Sequence, residues 1–464
     1  MPSRDRAGLG HVLSDVDTST PAVVLKLDPN VFHHGGLGVI RSLGRLGVPV
    51  HAVHEDPLAP AAASRYVRGR WRWNPGVDDP DRIAAGLTRL AERIGRPAVL
   101  VPTDDAGAIF LAEHGSSLRR WFLFPAPAPD LPRRLADKYR LHLLCRDRSV
   151  PTPATTVPAS PDEAHDFARR VGYPLVAKRT RPWHPADGPR GRSTLLLRTP
   201  TDLVALTRSW PHPVGSYADG DDPGILLQEY IPGGPDADWF FHGYCDADSV
   251  CRPGFTGVKE RSYPAHAGLT SLGRATENEP MRAEVERLIG ELRYRGLVDL
   301  DLRRDLRDGS YRLLDFNPRL GAQFRVFEDA GGLDVVRAAY LDLTGQPVPA
   351  ARPCPDRRLA VENYDLLAAL GYRRRGELRL GAWVRSLRHV DETAWFARDD
   401  LAPFGLMCLR TGWRAASRPF RGRTRPAKSV APHYRPGRAR AAVPQTHATR
   451  GAAEAVTSLD KECT

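Results

Sequence analysis

The chain has 464 residues, 41% apolar and 26% charged, which is ordinary for a globular protein and enough for two to four structural units. It contains no run of about 18 apolar residues, the least a membrane-spanning helix needs. Its start, MPSRDRAGLGHVLSDVD, lacks the apolar stretch of a signal peptide. The net charge of +12 is unevenly placed: residues 1–400 carry 55 basic against 52 acidic residues, whereas 401–450 carry eleven basic residues and no acid. Basicity therefore belongs to the tail, which argues against a nucleic-acid-binding body. Six scattered cysteines without a CxxC pair argue against a disulfide framework or a zinc site and suit reduced thiols in the cytoplasm. Only Cys245 and Cys251 are close, as on neighbouring strands of a hairpin.

Residues 1–20 read as a loose leader. AVVLKL (22–27), VPVHAVH (48–54) and AVLVP (98–102) read as strands. Between them lie a glycine turn HHGGLG (33–38), a helical pattern VIRSLGRLG (39–47) and an amphipathic helix DRIAAGLTRLAERIG (81–95). Strands alternating with helices imply a parallel α/β sheet to about Phe124. The glycine turn is not G-x-G-x-x-G and reads as packing rather than nucleotide binding.

From about Pro132 the pattern becomes α+β. Ser160-Pro161-Asp162-Glu163 is a capping box before a helix, and Thr199-Pro200-Thr201-Asp202 repeats it. YPLVAKR (173–179), ILLQEYI (225–231), DWFFHGYCD (238–246), SVCRPGFTGVKE (249–260), VDLDLRRD (298–305) and YRLLDFNPR (311–319) read as strands, with a helix over 279–296. One more compact piece runs from Arg357 to about Gly412. The proline-broken, arginine-rich stretch beyond it is expected to be disordered from about 415.

The strands near residue 300 carry the clearest chemistry. Side chains alternate along a strand, so Asp299 and Asp301 share a face, as do Asp315 and Asn317. A turn at Asp308-Gly309 folds one strand onto the other. Two carboxylates and an amide oxygen then converge, a hard-oxygen set that suits Mg²⁺. A solvated polar face is the alternative, but Val298, Leu300, Leu302, Leu313 and Phe316 make the hairpin largely buried, where acids need cations. Lys178 closes the apolar strand YPLVAKR. A second strand ends in Gln228-Glu229-Tyr230-Ile231 and turns, offering an apolar slot with backbone groups for a base. The loop HPADGPRGRS (184–193) is able to cover phosphates. His184, His242 and His266 read as hydrogen-bonded structural residues.

In chain order, Lys138 in LADKYRLHLL, Pro151-Thr152-Pro153, Lys178 in PLVAKR, QEYIPG, GVKERSYP and DFNPRLG resemble the ATP-grasp ligases. The resemblance covers about 22–345 and is nearest to bacterial carboxylate–amine ligases, a group that includes D-aspartate ligases. It implies a parallel α/β pre-ATP-grasp domain (21–130) and a two-subdomain ATP-grasp domain (131–349, divided into 131–232 and 233–349). A C-terminal extension (350–414) and a basic tail (415–464) follow. It implies that Lys138 and Lys178 contact the phosphates of ATP, and that Gln228, Glu229, Tyr230 and Ile231 form the adenine hinge. Asp236 or Asp238 would take the ribose hydroxyls. Lys259 and Arg261 would face the γ-phosphate and acyl phosphate, Asp301, Asp315 and Asn317 would hold Mg²⁺ (or Mn²⁺), and Arg319 would stabilise the transferred phosphoryl or the substrate carboxylate. The family usually has glutamate at position 315 and often at 301, so the shorter aspartates place the metal differently, and Asp299 competes with Asp301.

The implied reaction activates a carboxylate as an acyl phosphate and joins it to an amine, releasing ADP and phosphate. The implied partners are therefore a small-molecule acid and amine, with no specific nucleic acid or membrane. Two rivals are a kinase on the same fold, with a hydroxyl acceptor, and a non-catalytic protein that binds polyanions through the basic tail.

Overall fold

The computed structural model describes residues 15–73, 79–183, 193–208, 224–234, 236–266 and 268–421. Most of the expected leader, the phosphate-covering loop as far as residue 192 and the tail beyond 421 lie outside the described residues. The chain forms two compact units, Met1–Trp413 and Arg414–Thr464. Among the described residues no helix is long and apolar enough to cross a membrane.

The first unit opens with β1 (Ala22–Leu25), α1 (His34–Arg45), β2 (Val50–His54), β3 (Val67–Arg72), α2 (Pro80–Ile94), β4 (Ala98–Pro102), α3 (Asp105–His114) and β5 (Phe122–Leu123). The five strands form a parallel sheet in the order β3-β2-β1-β4-β5. β1 is buried along its whole length, as a central parallel strand covered on both faces must be. α2 begins where the Asp79 carboxylate accepts the Arg82 N–H and ends at Gly95, whose φ of 74° is left-handed.

The glycine turn expected at 33–38 is instead the first turn of α1. Its glycines serve close packing: a Cβ on Gly38 would lie 2.7 Å from the Phe324 ring, and one on Gly35 3.1 Å from the Ala322 Cα. The leader is also shorter than expected. From Asp17 the chain is held, its N–H donating to Gln346 Oε1 and its carbonyl accepting from the Tyr340 hydroxyl.

Next come α4 (Leu131–Ala136), α5 (Lys138–Asp147), β6 (Thr155–Thr156), α6 (Pro161–Val171), β7 (Leu175–Arg179), β8 (Thr194–Leu197), α7 (Pro200–Arg208) and β9 (Ile225–Glu229). Their strands make an antiparallel sheet in the order β6-β9-β7-β8. Ser160 caps α6 as its sequence requires: its hydroxyl accepts the Glu163 N–H, and Glu163 accepts the Ala159 N–H in return.

The third sheet is built from β10 (Asp238–Cys245), β11 (Cys251–Tyr263), β12 (Leu269–Ala275), β13 (Gly296–Arg304), β14 (Tyr311–Asn317), β15 (Arg358–Ala360) and β16 (Glu392–Thr393). Its order is β14-β13-β10-β11-β12-β15-β16. Interspersed are α8 (Glu279–Glu291), α9 (Val335–Leu343), α10 (Glu362–Arg374) and α11 (Leu380–Leu387); α12 (Ala402–Arg421) follows β16. Residues 415–421 thus continue a helix where disorder was expected. Cys245 and Cys251 are directly opposed across β10 and β11, their sulfurs 2.9 Å apart.

One face of this sheet buries Phe241, Leu300, Leu302, Leu313 and Phe316 against α8. Phe240 and Tyr244 on the other face join a core that runs through α9 into β1, β2, α1 and Trp395. The same face carries the polar residues of the hairpin between β13 and β14.

Candidate active site

The alternation read from VDLDL and LLDFN is realised in the register: Asp299 pairs with Asn317 and Asp301 with Asp315. The next strand inward, β10, places His242 opposite Asp299 and Phe240 opposite Asp301. Paired residues share a face, so three carboxylates and an amide form one polar patch. Burial there is costly unless cations answer it.

Four cations do. Lys138 reaches Asp315 at 3.0 Å. It is positioned by the start of α5, where the Asp137 carboxylate caps the helix and pairs with Arg181. Lys178, at the end of β7, lies 3.3 Å from Asp315 and donates to the Leu314 carbonyl at 2.9 Å. A register irregularity between Asp301 and Leu302 leaves Leu314 out of the pairing there. Lys259 reaches Asp301 at 2.8 Å. Arg319, just past β14, holds Asp299 at 2.8 Å and comes within 3.3 Å of Asp105 at the head of α3.

Burial raises the Asp315 carboxyl, but Lys138 and Lys178 outweigh it and hold the group down at about 2. Burial dominates at Asp301, where Asp299 and Asp315 add repulsion against Lys259, and that carboxyl is raised. Asp299 is held well below the usual range because His242, Arg319 and Lys259 together overcome its burial. Lys178 is lowered, first by burial and then by Lys138, against the pull of Asp315.

The two candidate acids on β13 each keep one buried Oδ1 without a hydrogen bond among the described residues, and differ in what else the carboxylate meets. Asp299 meets His242 Nε2 at 3.1 Å, the Asn317 amide at 3.3 Å and Arg319. Asp301 Oδ1 has only the Lys259 ammonium, without hydrogen-bond geometry, and is otherwise a buried oxygen lacking a hydrogen bond among the described residues.

The residues expected to form the hinge sit at the end of the same patch. Arg303, two residues beyond Asp301 and only 4% exposed, gathers them: its guanidinium donates to the Ile231 carbonyl at 2.5 Å, the Tyr230 hydroxyl at 3.0 Å and the Asp238 carboxylate. Its plane also lies 4.9 Å from the centre of the Tyr230 ring. The Gln228 amide donates to Thr155, and Glu229 is paired with Arg307 at 2.6 Å. Asp236 is exposed, its carbonyl accepting from the Trp239 indole.

Arg261 departs from expectation. Instead of joining Lys259 at the patch, it forms a two-pronged pair with Asp365 of α10, at 2.9 and 3.0 Å, and a third bond to Ser386. A bulge between Lys259 and Arg261 breaks the alternation that would have put both on one face. Sequence reasoning missed Arg303, whose only signal is an arginine in an apolar strand, and Asp105, in the PTDDAG turn after β4. It also read His242 as merely structural. The ring is fully buried, edge-on to Phe327, and faces Asp299.

Among the described residues no group of three or more His, Cys, Asp or Glu could hold a metal by itself. Mg²⁺ needs less, since it is usually bound by one or two carboxylates plus substrate phosphates.

No protein-family model matches the chain. The architecture superposes on the biotin carboxylase domain of Hydrogenobacter thermophilus 2-oxoglutarate carboxylase, solved with MgADP, ADP and bicarbonate. The TM-score is 0.51 at 16% identity, covering 73% of each chain. It also superposes on an N5-carboxyaminoimidazole ribonucleotide synthetase solved with ADP, with a TM-score of 0.52 at 11% identity, covering 74% of this chain and 80% of that one. The chain has the ATP-grasp fold. In sequence it is 25% identical over 329 residues to D-aspartate ligase of Enterococcus faecium, spanning 68% of this chain and 74% of that protein. It is 26% identical over 203 residues to the carbamoyl phosphate synthase large chain of Deinococcus radiodurans, of which the match spans only 18%.

Proposed function

We propose that this chain is a Mg²⁺- and ATP-dependent ligase that joins a small carboxylic acid to an amine and releases ADP and phosphate. One observation carries the reading: Asp301, Asp315 and Asn317 converge from two paired strands beneath Lys138, Lys178 and Lys259, with Arg319 alongside. The similarity to D-aspartate ligase and the nucleotide-bound structures sharing the fold support it.

The donor set fits a hard divalent cation. Asp301 offers a buried oxygen without a hydrogen bond, Asp315 is ionised across the whole working pH range, and the Asn317 amide, donating to Asp299, keeps its oxygen for other use. Asp301 is the better ligand of the β13 pair, because Asp299 is occupied in orienting Arg319 and Asn317. When bound, Mg²⁺ would neutralise charge on phosphate oxygens. Phosphoryl transfer asks the protein chiefly for positioning and cations. Lys138 and Lys178 would bind the phosphates, Lys259 would face the transferred phosphoryl, and Arg319 would hold the substrate carboxylate with the fork geometry that suits it. Residues 228–231 would take adenine, and Asp236 or Asp238 the ribose. Arg303 fixes that hinge to β13, so base and phosphate sites keep one distance. A carboxylate oxygen would attack the γ-phosphorus, giving an acyl phosphate and ADP, and the amine nitrogen would then displace phosphate.

The test is ADP release from full-length chain over amino acids and small carboxylic acids, offered singly and in pairs. Release that requires both an acid and an amine supports the ligase. Release with a single hydroxyl compound, yielding its phosphate ester, would replace the ligase with a kinase.

A further inference from the structure

A second polar concavity lies at the opposite edge of the parallel sheet, independent of the ligase reading. The patch described above meets the other end of the sheet, where Arg319 comes within 3.3 Å of Asp105 just past β4. This cleft opens where the strands begin, at Pro21, Pro49 and Val67, and measures about 660 Å³. That lies within the range of roughly 300–1,000 Å³ usual for small-molecule sites. Its chemistry is one-sided. Arg65, Arg68, Arg93 and Arg96 line it together with His51 and Tyr66, and among the described residues no carboxylate does.

The contrast with neighbouring arginines is informative. Arg41 and Arg45, on the adjoining helix, are each paired with an aspartate at 3.0 Å. None of the four cleft arginines forms an ion pair among the described residues. Among the described residues the Arg65 guanidinium donates only to the Asp399 carbonyl, and Arg93 lies over the Trp71 ring. The walls are nevertheless fixed. Asp400 accepts the Arg65 N–H and the Ser64 hydroxyl, and Asp399, already neutralised by Arg45, accepts the Tyr66 hydroxyl from behind. Glycines let the lining side chains pack closely: a Cβ on Gly69 would lie 2.2 Å from the His51 ring, and one on Gly44 2.5 Å from Tyr66 Cβ. The local potential is felt by His51, which is lowered by burial and further by Arg68 and Arg96. All four are exposed, so solvent screens their repulsion, yet a cleft bordered by one sign of charge, unlike an ordinary face that mixes both, draws in an anion.

We propose that this cleft binds a small phosphate-bearing molecule with at least two phosphate groups, held by Arg68 and Arg96 in forked contacts with Arg65 and Arg93 adding charge. Guanidinium forks match phosphate oxygens, and a mononucleotide-sized ligand fills the volume. The Lys138–Lys178 cluster would also attract phosphate, so the test must separate the two.

Inorganic pyrophosphate is titrated calorimetrically into the full-length chain at low ionic strength, in three forms. These are wild type, Arg68→Glu/Arg96→Glu, and a control of equal charge change on remote exposed residues, Arg146→Glu/Arg169→Glu. Far-ultraviolet circular dichroism checks that each is folded. The cleft variant should lose one binding event by about 30-fold or more, as expected when two charge-assisted contacts go, while the control keeps it. The milder Arg68→Lys/Arg96→Lys change should weaken the same event by a smaller factor. Equal weakening in cleft variant and control, or wild-type binding in the cleft variant, would overturn the site. A short oligonucleotide that binds far more tightly than pyrophosphate and loses affinity with the same substitutions would overturn it in favour of a nucleic-acid surface.

Discussion

Two sets of buried ion pairs sit in the first compact unit and are built on opposite plans. Around Asp334 and Asp400 the cations are arginines, and the carboxylates are saturated. Asp334 accepts from the Val336 and Arg337 N–H groups, the Ser42 hydroxyl and Arg325. Asp400 accepts from Arg41, Ser64 and the Arg65 N–H. Around Asp301 and Asp315 the cations are lysines, and the Asp301 oxygen facing Lys259 has no hydrogen bond. An arginine fork fixes direction and distance, whereas an ammonium is a point charge on a flexible stem. The first plan locks helices to one another. The second holds Asp315 ionised between two lysines and leaves the Asp301 oxygen beside Lys259 without a hydrogen bond, in contacts that a point charge on a flexible stem can exchange for another partner. Buried charge by itself therefore does not mark a site, nor does one unsatisfied pair such as Lys26 and Glu55; the patch is distinguished by several such groups converging on one face.

Substitutions sharpen that contrast. Asp315→Ala should lower ADP release by about 1,000-fold, the scale at which a dedicated charge-stabilising group acts, with an unchanged circular dichroism spectrum. Release within a few-fold of wild type would place Asp315 with the structural set. Arg261→Ala should do the reverse. It leaves Asp365 buried and unpaired, so chemical denaturation should show a loss of about 3–5 kcal/mol, while release per folded molecule stays within about twofold. A large fall in turnover without loss of stability would return Arg261 to the site.

Glu328, beside Arg325 and Arg337, tests the structural plan by pH. Burial raises its carboxyl, but Arg325 and Arg337 lead the cations that hold it at about 2, down from 4.5. A depressed carboxyl stabilises above its unfolded value and loses that contribution as pH falls toward the folded one. Glu328→Gln should therefore cost up to about 3 kcal/mol at pH 7. That deficit should hold to about pH 4.5 and shrink between there and pH 2, read from denaturant midpoints. A deficit that is flat across this window would remove the ion pairs as its cause. The smallest expected effect is that of Lys178→Ala, about 10- to 100-fold in KM for ATP together with reduced turnover, as for loss of one charged contact. Unchanged KM would take Lys178 out of the nucleotide site.

Much of this was legible because it rests on short-range periodicity. Period-two alternation in VDLDL and LLDFN put Asp299 with Asp301, and Asp315 with Asn317, on one face of each strand before any register was known, and the capping boxes at Ser160 and Thr199 located two helix starts. Where local rules were interrupted, the reading failed. Lys259 and Arg261 are two residues apart, yet the bulge between them sends one to Asp301 and the other to Asp365. Glycines at 35–38 suggested a turn because their packing partners, Ala322 and Phe324, are nearly 300 residues away in the chain. Arg303 looked like any charged strand end until the fold brought Ile231 and Asp238 to it.

The amino-acid sequence by itself determined the elements, the face each polar side chain takes on its strand and the presence of lysines between them, since these follow from backbone geometry and neighbouring residues. Which lysine meets which carboxylate, that Asp299 turns to His242 and Arg319 while Asp301 is left open, and that four arginines border one cleft were decided only when distant segments packed. Electrostatic pairing depends on separations of a few ångströms, and no local rule along the chain sets those.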